Sequence, residues 1–393
     1  MAIFRLNFFV LVWVFSISVW ASTPPPQLLQ QINSSYICLF GEQVDNSRVP
    51  QVAKEAVSRA KGKLRHIFNT GVRGFSAHMS AKAVDQLMSH NPNITLCEAN
   101  GLTQAGSKGG KGGKPGQQTM QLTPENITLT GGPVDGSGLT AWIIDSGIDT
   151  NHPDLNVGLE DGANFVRLGK NTIEDGNGHG THIAGTLAAL DNDIDVVGVA
   201  AGARVVPVRV LHNSNFGAID DMVAGILYVR ANGSPDDVAN MSVWAYGHYQ
   251  SLHAATEELA SVMPFVIIAG NDGEDINERP SEPSHVEHAN VFTVSAVDMQ
   301  GLFTDFSNFG HASQWTNCDS EYPADPFPCA SADVAAYGKD IISLKPGGGL
   351  ATWYGTSMAA PHVAGVILIN RNASSSGSAI NDPDGVNDPI VHF

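Results

Sequence analysis

From Gln121 onward the chain alternates short apolar runs with helical patterns, and this alternation does most to narrow the folds open to it. "LTAWIID" reads as a strand ending at Asp145, and "HGTHIAGTLAAL" as a helix. "ARVVPVRVL" is a strand, followed by "AIDDMVAGILYVRANG", a helix with Gly233 as its stop signal. "DVANMSV", "FVIIAGN" and "VFTVSAVD" are further strands, and "TSMAAPHVAGVILIN" is the last helix. Such a sequence predicts an α/β fold, a mainly parallel sheet with helices on both faces. Sites in such sheets lie beyond the carboxyl ends of the strands. No internal repeat is visible.

A smaller unit precedes this body. Residues 34–99 read as α+β: strand-like "SYICLF", helical spacing through "VPQVAKEAVSRAKGKLRHIF", strand and turn in "GFSAHMS", a short amphipathic helix "AKAVDQLMSH", and a closing strand "NITLCEAN". Residues 100–120, "NGLTQAGSKGGKGGKPGQQTM", are Gly/Lys-rich and nearly free of apolar side chains, so they read as a linker open to proteolysis. The expected divisions are therefore 1–21, 22–99, 100–120, 121–370 and a short Ser/Asp/Gly-rich segment 371–393.

With 393 residues, 42% of them hydrophobic, the chain can bury a sizeable core. The one long apolar run is at the start, "MAIFRLNFFVLVWVFSISVWA". One Arg, an apolar stretch and small residues at Val19 and Ala21 predict a secretory signal cut after Ala21, in preference to a membrane anchor. Export implies an oxidising compartment. Of the three pairings that four cysteines allow, the local ones, Cys38–Cys97 and Cys318–Cys329, are favoured. Net charge is −18 but uneven. Residues 22–120 hold eleven Lys/Arg and five Asp/Glu, hence +6; from 121 onward nine Lys/Arg meet thirty-four Asp/Glu, hence −25. An acidic body argues against nucleic acid as its partner, and a basic leader suggests mutual attraction.

Three stretches carry chemistry. "IIDSGID" puts Asp145 where an apolar strand runs out, "NGHGTHIAGT" puts His179 at a helix start, and "YGTSMAAPHVAG" does the same for Ser357. A serine hydroxyl is a poor nucleophile unless an imidazole accepts its proton. The imidazole needs an acid behind it to fix its tautomer. "IIAGNDG" offers Asn271 after a strand and a glycine turn, placed to donate to a developing oxyanion. Pro361 sits inside the serine-bearing run, where a helix tolerates proline poorly.

In that order, Asp, His, Ser, and in these words, the chain resembles the subtilisin family of serine proteases. The resemblance covers roughly residues 121–370, and "SYICLF…GFSAHMS…VDQLMSHNPNITLCEANG" is similar to the family's inhibitory propeptide. It implies a secreted serine endopeptidase acting on protein and peptide substrates through an acyl-enzyme. Asp145 would orient the imidazole, His179 act as base and acid, Ser357 as nucleophile, and Asn271 as oxyanion donor. His182 and His362 would be structural, and Asp149 would cap or turn the chain. The pro-unit would serve as folding aid and intramolecular inhibitor, cut off within about 99–121. The mature protein would be a monomer with no membrane contact. The alternative is a catalytically silent, protein-binding relative.

The resemblance also implies structural calcium. "ALDNDIDVVGVA" places Leu190, Asn192, Ile194 and Val196 at the spacing of the family's calcium loop, with Asp154 of "NHPDL" and Gln121 as further ligands. The other reading is an acidic solvated turn. Substrate would add a strand between two enzyme strands. On one side are Asn215, Phe216 and Gly217; on the other are Ser242, Val243 and Trp244, with Gly270 nearby. Trp244 stands where the family has glycine. Either it narrows the primary specificity pocket or the strand is shifted toward Gly247. The C-terminal segment either replaces the family's last helix and strand or trails.

Overall fold

The structure is a computed structural model that describes residues 23–106, 108–109, 120–314 and 329–393. The expected signal, Cys318 and most of the glycine-rich run lie outside the described residues.

The N-terminal unit is four antiparallel strands and two helices: β1 (Ser35–Phe40), α1 (Val49–Arg59), β2 (Lys63–Thr70), β3 (Val72–His78), α2 (Ala81–His90) and β4 (Ile94–Ala99), with sheet order β2-β3-β1-β4. Helical spacing extended over 49–68 is overruled after Arg59, because "KLRHIF" pairs with β3 as a strand. Ser80 caps α2 by accepting the Ala83 N–H. Cys38 and Cys97 sit opposite one another on β1 and β4 and form a disulfide. Cys329 is also disulfide-bonded.

A short strand, β5 (Leu102–Gln104), links the N-terminal unit to the body, which contains β6 (Thr140–Asp145), α3 (His179–Ala188), β7 (Arg204–Arg209), β8 (Phe216–Ala218), α4 (Ile219–Asn232), β9 (Val238–Met241), α5 (Gln250–Ala260), β10 (Phe265–Ile268), β11 (Val291–Val297), β12 (Val334–Tyr337), β13 (Ile341–Leu344), β14 (Leu350–Tyr354), α6 (Thr356–Asn370), β15 (Ser374–Ser378) and β16 (Pro389–His392). The main sheet runs β7-β6-β9-β10-β11-β12-β16-β15, parallel from β7 to β16. Both faces are covered. Along β6, Ala141 and Ile143 join the core under α3 and α6, while Trp142 and Ile144 join the core under α4 and α5. That alternation turns one strand into the wall of two apolar layers.

The C-terminal segment does not trail. It folds back as the antiparallel pair β15–β16 and closes the sheet's far edge. The outer strand, Ser374–Ser378, is fully exposed and polar, a composition that discourages further strand addition.

The sheet of the N-terminal unit packs on α4 and α5. Ile37, Phe68 and Val72 enter the same core as Ile219, Met222 and Leu259. At the edge of that contact Arg65 bonds Asp220 (3.1 Å from Nη2) and Asp221 (3.2 Å), and Asp220 also accepts from Ser76 and Asn100, each at 2.7 Å. Both acids lie in the first turn of α4, where the helix dipole favours them. Glu98 accepts the Gln250 and Ser251 N–H groups at the start of α5. The N-terminal unit thus meets the open starts of two body helices.

Candidate active site

Asp145 is the last residue of β6 and is fully buried. Its carboxylate accepts the Ser146 N–H at 2.7 Å and faces His179 Nδ1 at 2.8 and 2.9 Å. His179 opens α3. Asp175 holds that helix start: it accepts the N–H groups of Asn177, Gly178 and Thr181 and the Thr181 hydroxyl. Gly178 has φ +107°, and Gly180 leaves no room for a Cβ, which would stand 2.0 Å from the Gly147 carbonyl. His179 Nε2 is buried and has no hydrogen-bond partner among the described residues. The Trp353 ring lies parallel to His182 (5.0 Å, 3°) and close to His179 (5.9 Å).

Ser357 sits in the first turn of α6. Pro361 is in the helix interior and cannot donate to the Ser357 carbonyl four residues back. That carbonyl accepts the Ser242 hydroxyl instead, at 3.2 Å. The proline therefore leaves the start of α6 tied to the strand of Ser242 without orphaning a buried acceptor.

Asn271 follows the turn at Gly270, whose φ is +114°. Its Oδ1 accepts the Thr356 N–H at 2.7 Å and the Thr356 hydroxyl at 3.1 Å. The amide is thereby held with Nδ2 pointing the other way, into the cleft.

What lies in that cleft is the chain itself. β5 lies between β8 and the segment at Trp244. Phe216, Gly217 and Ala218 pair antiparallel with Gln104, Thr103 and Leu102. On the opposite side the Gln104 N–H donates to the Trp244 carbonyl at 2.9 Å, and the Gln104 carbonyl accepts the Trp244 N–H at 3.0 Å. Ala105 N–H donates to the Asn215 carbonyl. The next carbonyl, Gly106 O, accepts from Asn271 Nδ2 at 2.7 Å and from Ser357 Oγ at 2.9 Å. Residues 100–106 are thus not linker, as composition suggested. They lack an apolar pattern because their pairing is through the backbone. Trp244, and not Gly247, pairs with the inserted strand; Gly247 N–H donates to Pro280. The strand is not shifted. Val243 turns its side chain into the core.

The histidines read as structural are so placed. His182 Nε2 reaches the Ile341 and Ala351 carbonyls, and burial next to His179 pushes its pKa down to about 3. His362 is bonded to Met358 O and Asn126. Asp149 accepts the N–H groups of Asn151 and Gly347, holding the turn after β6.

Gln121, Asp154, Asn192 and Val196 also meet. Asp154 accepts Asn192 Nδ2 (2.8 Å) and Val196 N–H (3.3 Å), and Gln121 Oε1 accepts the Asn192 N–H. Asp154 is fully buried, and burial pushes its carboxyl up to about 7. The main-chain carbonyls of Leu190, Ile194 and Val196 accept no hydrogen bond among the described residues. A set made only of oxygens, with one desolvated carboxylate and idle carbonyls, fits a hard divalent cation. His66, Asp220 and Asp221 also cluster, but Arg65 already pairs with both carboxylates.

The profile of the subtilase family matches residues 136–381. The chain belongs to the subtilase family. It is 32% identical to alkaline protease of Alkalihalobacillus alcalophilus over 87% of this chain and 80% of that one. It is 36% identical to M-protease of Shouchella clausii, over 62% of this chain and 57% of that protein. A crystal structure of a cold adapted subtilisin-like serine proteinase superposes with a TM-score of 0.55 at 26% identity, covering 69% of this chain and 98% of that one. As a subtilase, the protein is a serine endopeptidase with the subtilisin-like α/β fold. Sequence reasoning passed over three residues of the site: Gly106, Asp175 and Trp353. Of these, Asp175, an acid just ahead of a helix start, carried a readable capping signal.

Proposed function

We propose that this subtilase is a self-processing zymogen in which Asp145, His179 and Ser357 form the catalytic triad, and that its first substrate is its own Gly106–Ser107 bond. The supporting observation is the Gly106 carbonyl, gripped by Ser357 Oγ and Asn271 Nδ2 at the end of a strand paired on both sides. Ser357 Oγ attacks the Gly106 carbonyl carbon as its proton passes to the unpartnered His179 Nε2. Asp145 keeps the Nδ1–H tautomer in place and stabilises the imidazolium. Negative charge gathers on the carbonyl oxygen, where Asn271 Nδ2 already donates. His179 then returns the proton to the departing amine of Ser107, and water hydrolyses the ester left on Ser357. Residues up to Gly106 remain in the cleft as inhibitor, with the processed boundary inside the expected 99–121 window and near its start.

The chain is read as secreted, with residues 1–21 as signal, and no helix among the described residues is long and apolar enough to cross a membrane. The test is labelling with a fluorophosphonate followed by peptide mapping. Phosphonylation confined to Ser357 supports the reading, and an unlabelled, folded protein refutes it.

Calcium belongs to the same proposal. Asp154, Asn192 and Gln121 side chains with the Leu190, Ile194 and Val196 carbonyls would hold it, and it would supply positive charge beside the buried carboxylate. An ion bound only by the native state stabilises it by mass action. With calcium at a hundredfold its Kd, excess chelator should lower Tm by roughly 5–10 °C. Asp154→Asn should abolish that difference. A Tm that ignores chelator would remove the site.

A further inference from the structure

The residue whose carbonyl is cut carries a side chain that must find room on the enzyme. At Gly106 there is none. A Cβ built there would stand 2.2 Å from Trp244 Cη2, 2.5 Å from Cζ3 and 2.6 Å from Asn271 Nδ2. Carbon atoms do not approach so closely, so a larger residue must displace one of these groups. Neither is free to leave. Asn271 is fixed by Thr356 through Oδ1. Trp244 is buried, and its main chain is bonded on both sides to Gln104. Its ring meets Tyr246 edge-on (6.4 Å, 83°), and Arg279 lies over the Tyr246 ring at 4.2 Å. Arg279 is itself bonded to Glu274 at 2.7 Å. Moving the indole means dismantling that stack.

Backbone conformation does not explain the glycine. Gly106 is absent from the residues with positive φ, so an L side chain would be tolerated on torsional grounds. Space alone excludes it. Further from the cut the cleft is less severe: Thr103 is enclosed with its side chain in place, and Ala105 is half-buried.

We infer that Trp244 makes this subtilase selective for glycine at the residue whose carbonyl is attacked, by occupying the space a side chain there would need. This rests on Ser357, Asn271 and Gly106 marking the scissile bond. Steric exclusion of the wrong residue is a common source of protease selectivity, separate from any gain in contact with the right one.

The test uses the processed protein and four quenched fluorescent peptides, Leu-Thr-Gln-Ala-X-Ser-Lys with X as Gly, Ala, Leu or Phe. kcat/KM should be highest for Gly and lower for Leu and Phe by at least about 100-fold. Trp244→Gly should raise the Leu-to-Gly ratio at least about tenfold. In the full chain Gly106→Leu should stall self-cleavage, and adding Trp244→Gly should restore it, a rescue that mere destabilisation would not give. If the wild type cuts after Leu or Phe as well as after Gly, the inference fails whether or not the variants fold. Fluorophosphonate separates the two levels of failure. If Ser357 is labelled but selectivity is absent, or no peptide is cut, this inference falls alone. If Ser357 is unlabelled and nothing is cut, the triad reading falls with it.

Discussion

Ser357→Ala is expected to accumulate as the uncut chain. The substitution removes one oxygen at the start of α6. The tie between Ser242 Oγ and the residue 357 carbonyl runs through main chain and survives, and so does the grip of Asn271 on Gly106. The strand in the cleft stays paired on both sides. Folding should therefore persist while bond cleavage stops. Activity on added peptides should fall by about 10⁶-fold, the scale that subtilisin itself shows for loss of its nucleophile. Intact mass after purification reads the first effect, and a fluorogenic assay reads the second. A purified variant that converts itself to two fragments would end the case for an intramolecular cut by Ser357.

Asp145→Asn should cost about 10⁴-fold in kcat with KM little changed. Both carboxylate oxygens lie within 2.9 Å of His179 Nδ1, and Ser146 N–H occupies one of them as well. An asparagine would keep its oxygen on Ser146 and turn its NH₂ toward the imidazole. Nδ1 would then accept rather than donate, leaving the proton on Nε2, where none can be taken from serine. Among the described residues Asp145 makes no hydrogen bond to the strand in the cleft, so binding should be spared. Measured kcat and KM decide the matter; a loss below tenfold, or one confined to KM, would deny Asp145 this part.

The sequence was most legible where burial sets the pattern. β6, β7, β10 and β11 are apolar runs because both faces of the sheet are covered, and their ends locate Asp145 and the loop of Asn271. α3 and α6 follow from small and apolar residues after glycine. What failed to show was structure held by main chain alone. β5 has no hydrophobic signature, since its neighbours recognise its N–H and C=O groups. β15 is made of serine and glycine for the same reason, at an exposed edge. Trp353 was silent because its value lies in stacking across from α3, which no local spacing reveals. Trp244 is legible as a departure from the family's glycine, but only three dimensions put its indole where a Gly106 side chain would go.

Arg65 meets Asp220 and Asp221 in a place water scarcely reaches. The attraction between basic leader and acidic body is therefore concentrated in one desolvated knot beside apolar packing. Dissolved ions shield charges that lie in solvent and reach buried ones poorly. After the cut, a sodium chloride wash would leave the severed fragment seated, and ammonium sulfate would seat it more firmly by strengthening the apolar contact. Under the proposed self-processing, freeing the enzyme would fall to whatever unravels or digests the fragment itself.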